Sequence, residues 1–94
     1  MEQEINVTNI LKSLADDTRL DIIRKLARDK DEVTSSEIVI GCGNALNLSQ
    51  PTMSHHFNKL VTAQVVVERK QGVTKYYRLN HKLLASIGID ATKL

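Results

Sequence analysis

Ninety-four residues, 41% of them hydrophobic, suffice for one modest core over residues 1–94 and leave little room for a second unit; chains this small often gain stability by dimerising. No apolar run reaches membrane-spanning length, Met1-Glu2-Gln3-Glu4 lacks the basic and apolar regions of an export signal, and a single cysteine, Cys42, excludes an internal disulfide framework, so a cytoplasmic protein is expected. The net charge is only +2, but residues 1–48 hold six basic against nine acidic residues, a net of −3, whereas residues 49–94 hold seven against two, a net of +5; the basic half points to a polyanion-facing surface.

Ile5, Ile10, Leu11 and Leu14 mark a first helix. Asp16-Asp17-Thr18 is an N-capping cluster for a second, in which Leu20, Ile22, Ile23, Leu26 and Ala27 form the apolar face and Arg24, Lys25 and Arg28 lie towards the C-terminal end, where cations suit the helix dipole. After the charged link Asp29-Lys30-Asp31-Glu32, Thr34 and Glu37 have the spacing of a capping box and open a third helical segment, which Gly41 and Gly43 weaken. Asn47 suits a left-handed turn, Ser49 can cap the next helix and Pro51 falls in its first turn, so this stretch reads as helix-turn-helix with the second helix at about 49–62.

That helix separates into two faces. Met53, Phe57, Leu60 and Val61 recur at i, i+4, i+7 and i+8 and can pack, while Thr52, His55, His56 and Lys59 recur at i, i+3, i+4 and i+7 on another side. A face of short polar heads suits the major groove of DNA, which admits an α-helix and presents donors and acceptors at its base edges. Val65 to Lys70 and Val73 to Leu79 are rich in β-branched and aromatic residues and read as a hairpin separated by Gln71-Gly72, with Tyr76 and Tyr77 on opposite faces, one in the core and one partly exposed. Asn80 can cap a final helix carrying Leu83, Leu84, Ile87 and Ile89. The expected fold is mainly α with a small β-hairpin, in the order α-α-α-α-β-β-α.

Three blocks carry a family resemblance. Leu11 to Ile23 resembles the early signature of the ArsR/SmtB family of winged helix-turn-helix transcriptional repressors, Leu48 to Leu60 resembles its recognition helix, and Arg69 to Leu79 resembles its wing, in the expected order and over most of the chain. Gln64 departs from the pattern, standing where the family often has glycine before the first wing strand. The resemblance implies a homodimer whose first and last helices form the interface and whose recognition helices enter successive major grooves of a palindromic operator in double-stranded DNA, half-sites about 34–36 Å apart or a multiple of that. Ile5, Ile10, Leu14, Leu83, Leu84 and Ile87 can supply that interface, or can equally belong to an ordinary core. Repression, as against activation, follows from the resemblance alone.

For direct readout the candidates are Gln50, Thr52, His55 and His56, because Gln can pair with adenine and His or Thr can donate or accept at base edges. Ser49, Ser54 and Lys59 suit phosphate contacts. On the wing, Arg69, Lys70, Gln71 and Lys75 can reach the backbone or adjacent minor groove, the alternative being solvated hairpin charge. His56 has a second reading as a hydrogen-bonded structural histidine.

Neither of the family's metal-site types has its ligands here. Residues 37–44 hold one thiol, and after Tyr77 only His81 and Asp90 could ligate, whereas a soft-metal site needs more donors. His55 and His56 are adjacent and do not chelate as an i, i+4 pair can. No metal or cofactor is therefore expected, Cys42 reads as a small packing residue with a thiol or metal-responsive sensor as the alternative, and the effector is not legible. Without a nucleophile elbow, phosphate-binding glycine loop or zinc-hydrolase motif an enzyme is not expected; the competing class is a winged-helix protein-interaction module.

Overall fold

The structure is a computed structural model that describes residues 5–28, 32–38 and 50–94. Its elements are α1 (Val7–Leu14), α2 (Asp17–Arg28), β1 (Val33–Thr34), α3 (Ser35–Ile38), α4 (Gln50–Thr62), β2 (Val66–Gln71), β3 (Thr74–Leu79), α5 (His81–Ser86) and a closing 3₁₀ turn (Ala91–Lys93). Expected helices and hairpin are present, and one element is added. Val33, given no role by the sequence reading, and Thr34, read as a cap, pair antiparallel with β3 through Val33↔Tyr77 and Thr34↔Tyr76, giving a three-stranded sheet in the order β1-β3-β2. Two residues carry no alternation to read, so only their partner strand reveals them.

Local chemistry explains the boundaries. The Asn9 N–H donates to Asn6 Oδ1 at 3.0 Å, so α1 begins after Asn6 and Ile5 lies outside it. Asp16 caps α2, its Oδ2 accepting the Arg19 N–H at 3.0 Å and its carbonyl the Leu20 N–H at 2.9 Å. The capping box forms reciprocally: Thr34 N–H donates to Glu37 Oε2 and Glu37 N–H to Thr34 Oγ1, both at 3.2 Å. The expected Ser49 cap, the Asn47 turn, Gly41, Gly43 and Cys42 lie outside the described residues.

The hairpin turn is displaced by one residue from the expectation. Gln71 pairs with Thr74, leaving Gly72-Val73 as the two-residue loop; Gly72 has φ +62° and Val73 is not left-handed, the pattern of a II′ turn with glycine first. Val73 is thereby carried to the tip, 99% exposed.

The core lies between α1, α2, α4 and α5 on one side and the sheet on the other. Ile10, Ile22, Ile23, Leu26, Met53, Leu60, Val65, Val66 and Leu84 are fully buried, with Leu14, Val33, Phe57, Tyr77, Leu79 and Leu83 nearly so. Ile10, Leu14, Leu83 and Leu84, expected at a dimer interface, are thus used within the protomer: a domain this small needs them to cover α2 and α4. Ile87 is half-buried against the same core. Among the described residues, no helix is long and apolar enough to cross a membrane.

Candidate nucleic-acid interface

Met53, Phe57 and Leu60 are buried as their spacing predicts, and Val61 packs partly against them, so the rotation of α4 about its axis is set by the core. Ser54, His55, Asn58 and Lys59 are left exposed, with Thr52 half-buried at the edge. Asn58, three residues beyond His55 on the same ridge, was missed by sequence reasoning; the i, i+3 spacing was the available signal. Ser49 and the Gln50 side chain lie outside the described residues.

His56 is turned inward. Its side chain is 14% exposed, Arg19 Nη1 donates to its Nδ1 at 3.2 Å, and Asp16 Oδ2 stands 3.7 Å from the same nitrogen. A guanidinium can only donate, so Nδ1 accepts and the imidazole is the neutral Nε2–H tautomer. Burial pushes its pKa below the ordinary value, outweighing the attraction of Asp16 for the proton. The Asp16 carboxyl is itself held low, chiefly by the Arg19 backbone N–H. His56 therefore docks α4 onto the start of α2, as the structural alternative in the sequence had it. Arg19 completes the joint by donating from Nε to the Ser13 carbonyl at 2.7 Å, a role with no sequence signal because it depends on a partner 37 residues away.

A second joint fixes the wing to α4. Phe57 stacks on Tyr77 of β3 with centroids 4.4 Å apart and planes 12° from parallel, and the Tyr77 hydroxyl donates to Glu68 Oε1 on β2 at 3.0 Å. Burial, reinforced by the Glu68 oxygen, pushes the Tyr77 pKa up to about 12. Tyr77 is the core tyrosine and Tyr76 the half-buried one.

The expected wing cations divide. Arg69 is spent on the protein: Nε and Nη2 each donate to Glu32 at 2.9 Å, Nη1 donates to Gln71 Oε1 at 3.0 Å, and the guanidinium lies 4.4 Å from the Tyr76 ring centroid. The Gln71 side-chain oxygen is taken by the same contact. Lys75 is 3.5 Å from Glu68, and its cross-strand neighbour is Lys70, an exposed residue with no ion pair among the described residues. Like charges placed directly opposite one another repel, and a polyanion removes that repulsion.

The exposed apolar surface matches the expected interface at Ile5 and otherwise lies at residues the sequence reading did not assign to that interface. On α1, Val7 (45% exposed) and Leu11 (52%) share an i, i+4 ridge, with Ile5 (49%) just before it. Asp90, one of the last possible metal ligands, accepts from the N–H and hydroxyl of Thr92, and no group of three or more metal-ligating side chains occurs among the described residues.

A buried-face helix following a helical turn, flanked by a basic hairpin, defines a winged helix-turn-helix DNA-binding regulator. Residues 14–69 match the family model described as a helix-turn-helix domain. The chain is 36% identical over 81 residues to the arsenical resistance operon repressor of Staphylococcus aureus, covering 86% of this chain and 72% of that protein. In structure it is similar to an ArsR family transcriptional regulator (TM-score 0.74, 21% identity, 86% and 82% of the two chains). It is also similar to the homodimeric winged helix-turn-helix DNA-binding domain of Mb0332 from Mycobacterium bovis (TM-score 0.70, 27% identity, 86% and 69%). The chain belongs to the ArsR/SmtB family of DNA-binding transcriptional regulators, which are not enzymes.

Proposed function

We propose that this protein is a cytoplasmic, homodimeric repressor that reads a palindromic operator with α4 and steadies the duplex with its wing. The observation carrying this reading is the division of α4: Met53, Phe57 and Leu60 are sealed in the core while Ser54, His55, Asn58 and Lys59 stand together in solvent on a helix held from both sides. His55, Thr52 and Gln50 are the base readers, joined by Asn58; Ser49, Ser54 and Lys59 are phosphate contacts; Lys70 and Lys75 are the wing's backbone contacts. Arg69 and Gln71 brace the wing and His56 positions the helix. A second copy is supported by the homodimeric relative, and its docking on Ile5, Val7 and Leu11 is supported by the exposure of these apolar side chains.

Binding of the purified protein to a duplex from its own upstream region and to a scrambled duplex, across a salt series, tests this. His55→Ala is expected to cost about 1–3 kcal/mol on the preferred duplex and little on the scrambled one, while Lys70→Ala weakens both alike and flattens the salt slope by about 0.9. Equal losses from His55→Ala on both duplexes would overturn its role as a base reader.

A further inference from the structure

Beside α4, on the side facing α1, runs a cleft of about 460 Å³ that shares His55, Asn58 and Lys59 with the operator-reading face and extends it to residues of α1 and α2 that this reading does not use. Lys12 of α1, Arg19 of α2 and Lys59 of α4 line it, together with Asn9, His55 and Asn58, and none of the described lining residues is acidic. Arg19 is preorganised there, with Nε tied to the Ser13 carbonyl at 2.7 Å and Nη1 to His56 at 3.2 Å, so its charge is in place without further ordering. Asp16, the carboxylate beside this joint, is occupied by the Arg19 backbone N–H and is not in the lining. Cations from separate helices around neutral amide donors select a multiply charged oxyanion, and the volume admits a phosphate or diphosphate group.

We infer that the α1–α4 cleft is an oxyanion site of the phosphate class, with Lys12 and Lys59 its opposing cations and Arg19 its fixed charge. The same chemistry is offered by a backbone phosphate of the bound duplex and by a free phosphorylated small molecule; in either case α1 is tied to operator occupancy. The inference deepens the operator-binding reading, on which its duplex arm rests.

The test has an arm independent of DNA. Inorganic phosphate and pyrophosphate are titrated into the whole chain at constant ionic strength while amide shifts are followed. Saturable shifts confined to Asn9, Lys12, Asn58 and Lys59, weakened in Lys12→Gln but not in Lys82→Gln on α5, support the site. Duplex binding then separates the sources. If the occupant is a backbone phosphate, Lys12→Gln weakens both the upstream and the scrambled duplex by roughly threefold to fivefold, lowers the salt slope by about 0.9, and pyrophosphate competes with DNA. If it is a free anion, Lys12→Gln leaves duplex affinity unchanged and abolishes the effect of pyrophosphate upon it. Absence of saturable shifts, with Lys12→Gln binding DNA no differently from Lys82→Gln, overturns the inference. A wild-type protein that shows the shifts but prefers no duplex overturns the operator reading and leaves the anion site standing.

Discussion

Gln64 sits at φ +68°, a left-handed conformation that costs a residue with a Cβ about 1–2 kcal/mol. The turn demands it: Val65 N–H donates to the Leu60 carbonyl at 3.1 Å and Gln64 N–H to the Val61 carbonyl at 2.9 Å, the paired bonds that close a helix through a left-handed residue. The end of α5 repeats the motif with Gly88 at φ +83°, where Ile89 and Gly88 N–H groups reach the Leu84 and Ala85 carbonyls. The same geometry is met once with glycine and once without. Gln64→Gly is therefore expected to raise stability by about 0.5–1 kcal/mol, after allowing for glycine's greater freedom in the unfolded chain, read as a higher urea midpoint. An unchanged or lower midpoint would contradict the strain. The departure from glycine was legible in the sequence; its strain was not, because φ depends on how the chain leaves α4.

His56 makes a pH prediction at the same scale. Its folded pKa lies below the ordinary value of 6.5, so the unfolded chain binds the proton more readily, and the stability this residue contributes is complete above 6.5 and is lost as pH falls through the folded pKa. His56→Asn retains an acceptor near Nδ1 and removes the titration. The wild-type protein should lose stability as pH falls below about 6.5 that the variant keeps, in denaturation series at each pH. Parallel pH profiles would show that the imidazole titrates in the folded protein as it does in the unfolded chain.

Among the elements, α4 and the wing are joined by Phe57, Tyr77 and Glu68, which run in series from helix to β3 to β2. Tyr77→Phe removes one hydrogen bond and is expected to cost about 0.5–1.5 kcal/mol, whereas Phe57→Ala opens the core and should cost about 3–5 kcal/mol in chemical denaturation. A Tyr77→Phe cost matching that of Phe57→Ala would mean the hydroxyl, not the stacking, holds the wing. Asn80 closes the far end: its Oδ1 accepts the Leu83 N–H at 3.2 Å, as its capping role in the sequence predicted, and its Nδ2 donates to the Gln64 carbonyl at 2.9 Å, which nothing local could indicate. The strand β1 escaped sequence reading for the same reason. Periodicity needs several residues to declare itself, and a two-residue strand exists only through its partner.

In the molecule as a whole, the apolar residues expected at an interface show most plainly where reading stops. Val7 and Leu11 leave a ridge of α1 apolar and exposed, while Ile10 and Leu14, equally apolar and on the same short helix, are sealed inside. Leu11→Asp is expected to leave the fold intact, shift the protein to monomer in sedimentation, and weaken operator binding by at least tenfold as the two half-sites uncouple. A variant that remains dimeric would place the contact elsewhere.

Periodicity, capping residues and charge asymmetry, all local along the chain, were enough to locate α2, α4, the hairpin and the start of α5 and to sort the packing face of α4 from its polar face, while α5 stops at Ser86, short of the expected Ile87, and it was the resemblance of three sequence blocks that placed the chain among winged helix-turn-helix regulators. Which polar side chains remain available to a polyanion could not be read that way. Arg69 is withdrawn by Glu32 and His56 by Arg19, each across 37 residues of sequence, while Lys70 keeps its charge in solvent and Lys12, Arg19 and Lys59 gather round one cleft. A side chain's residue type sets what it can bind; its partner in space, supplied by distant segments, sets whether it is still able to.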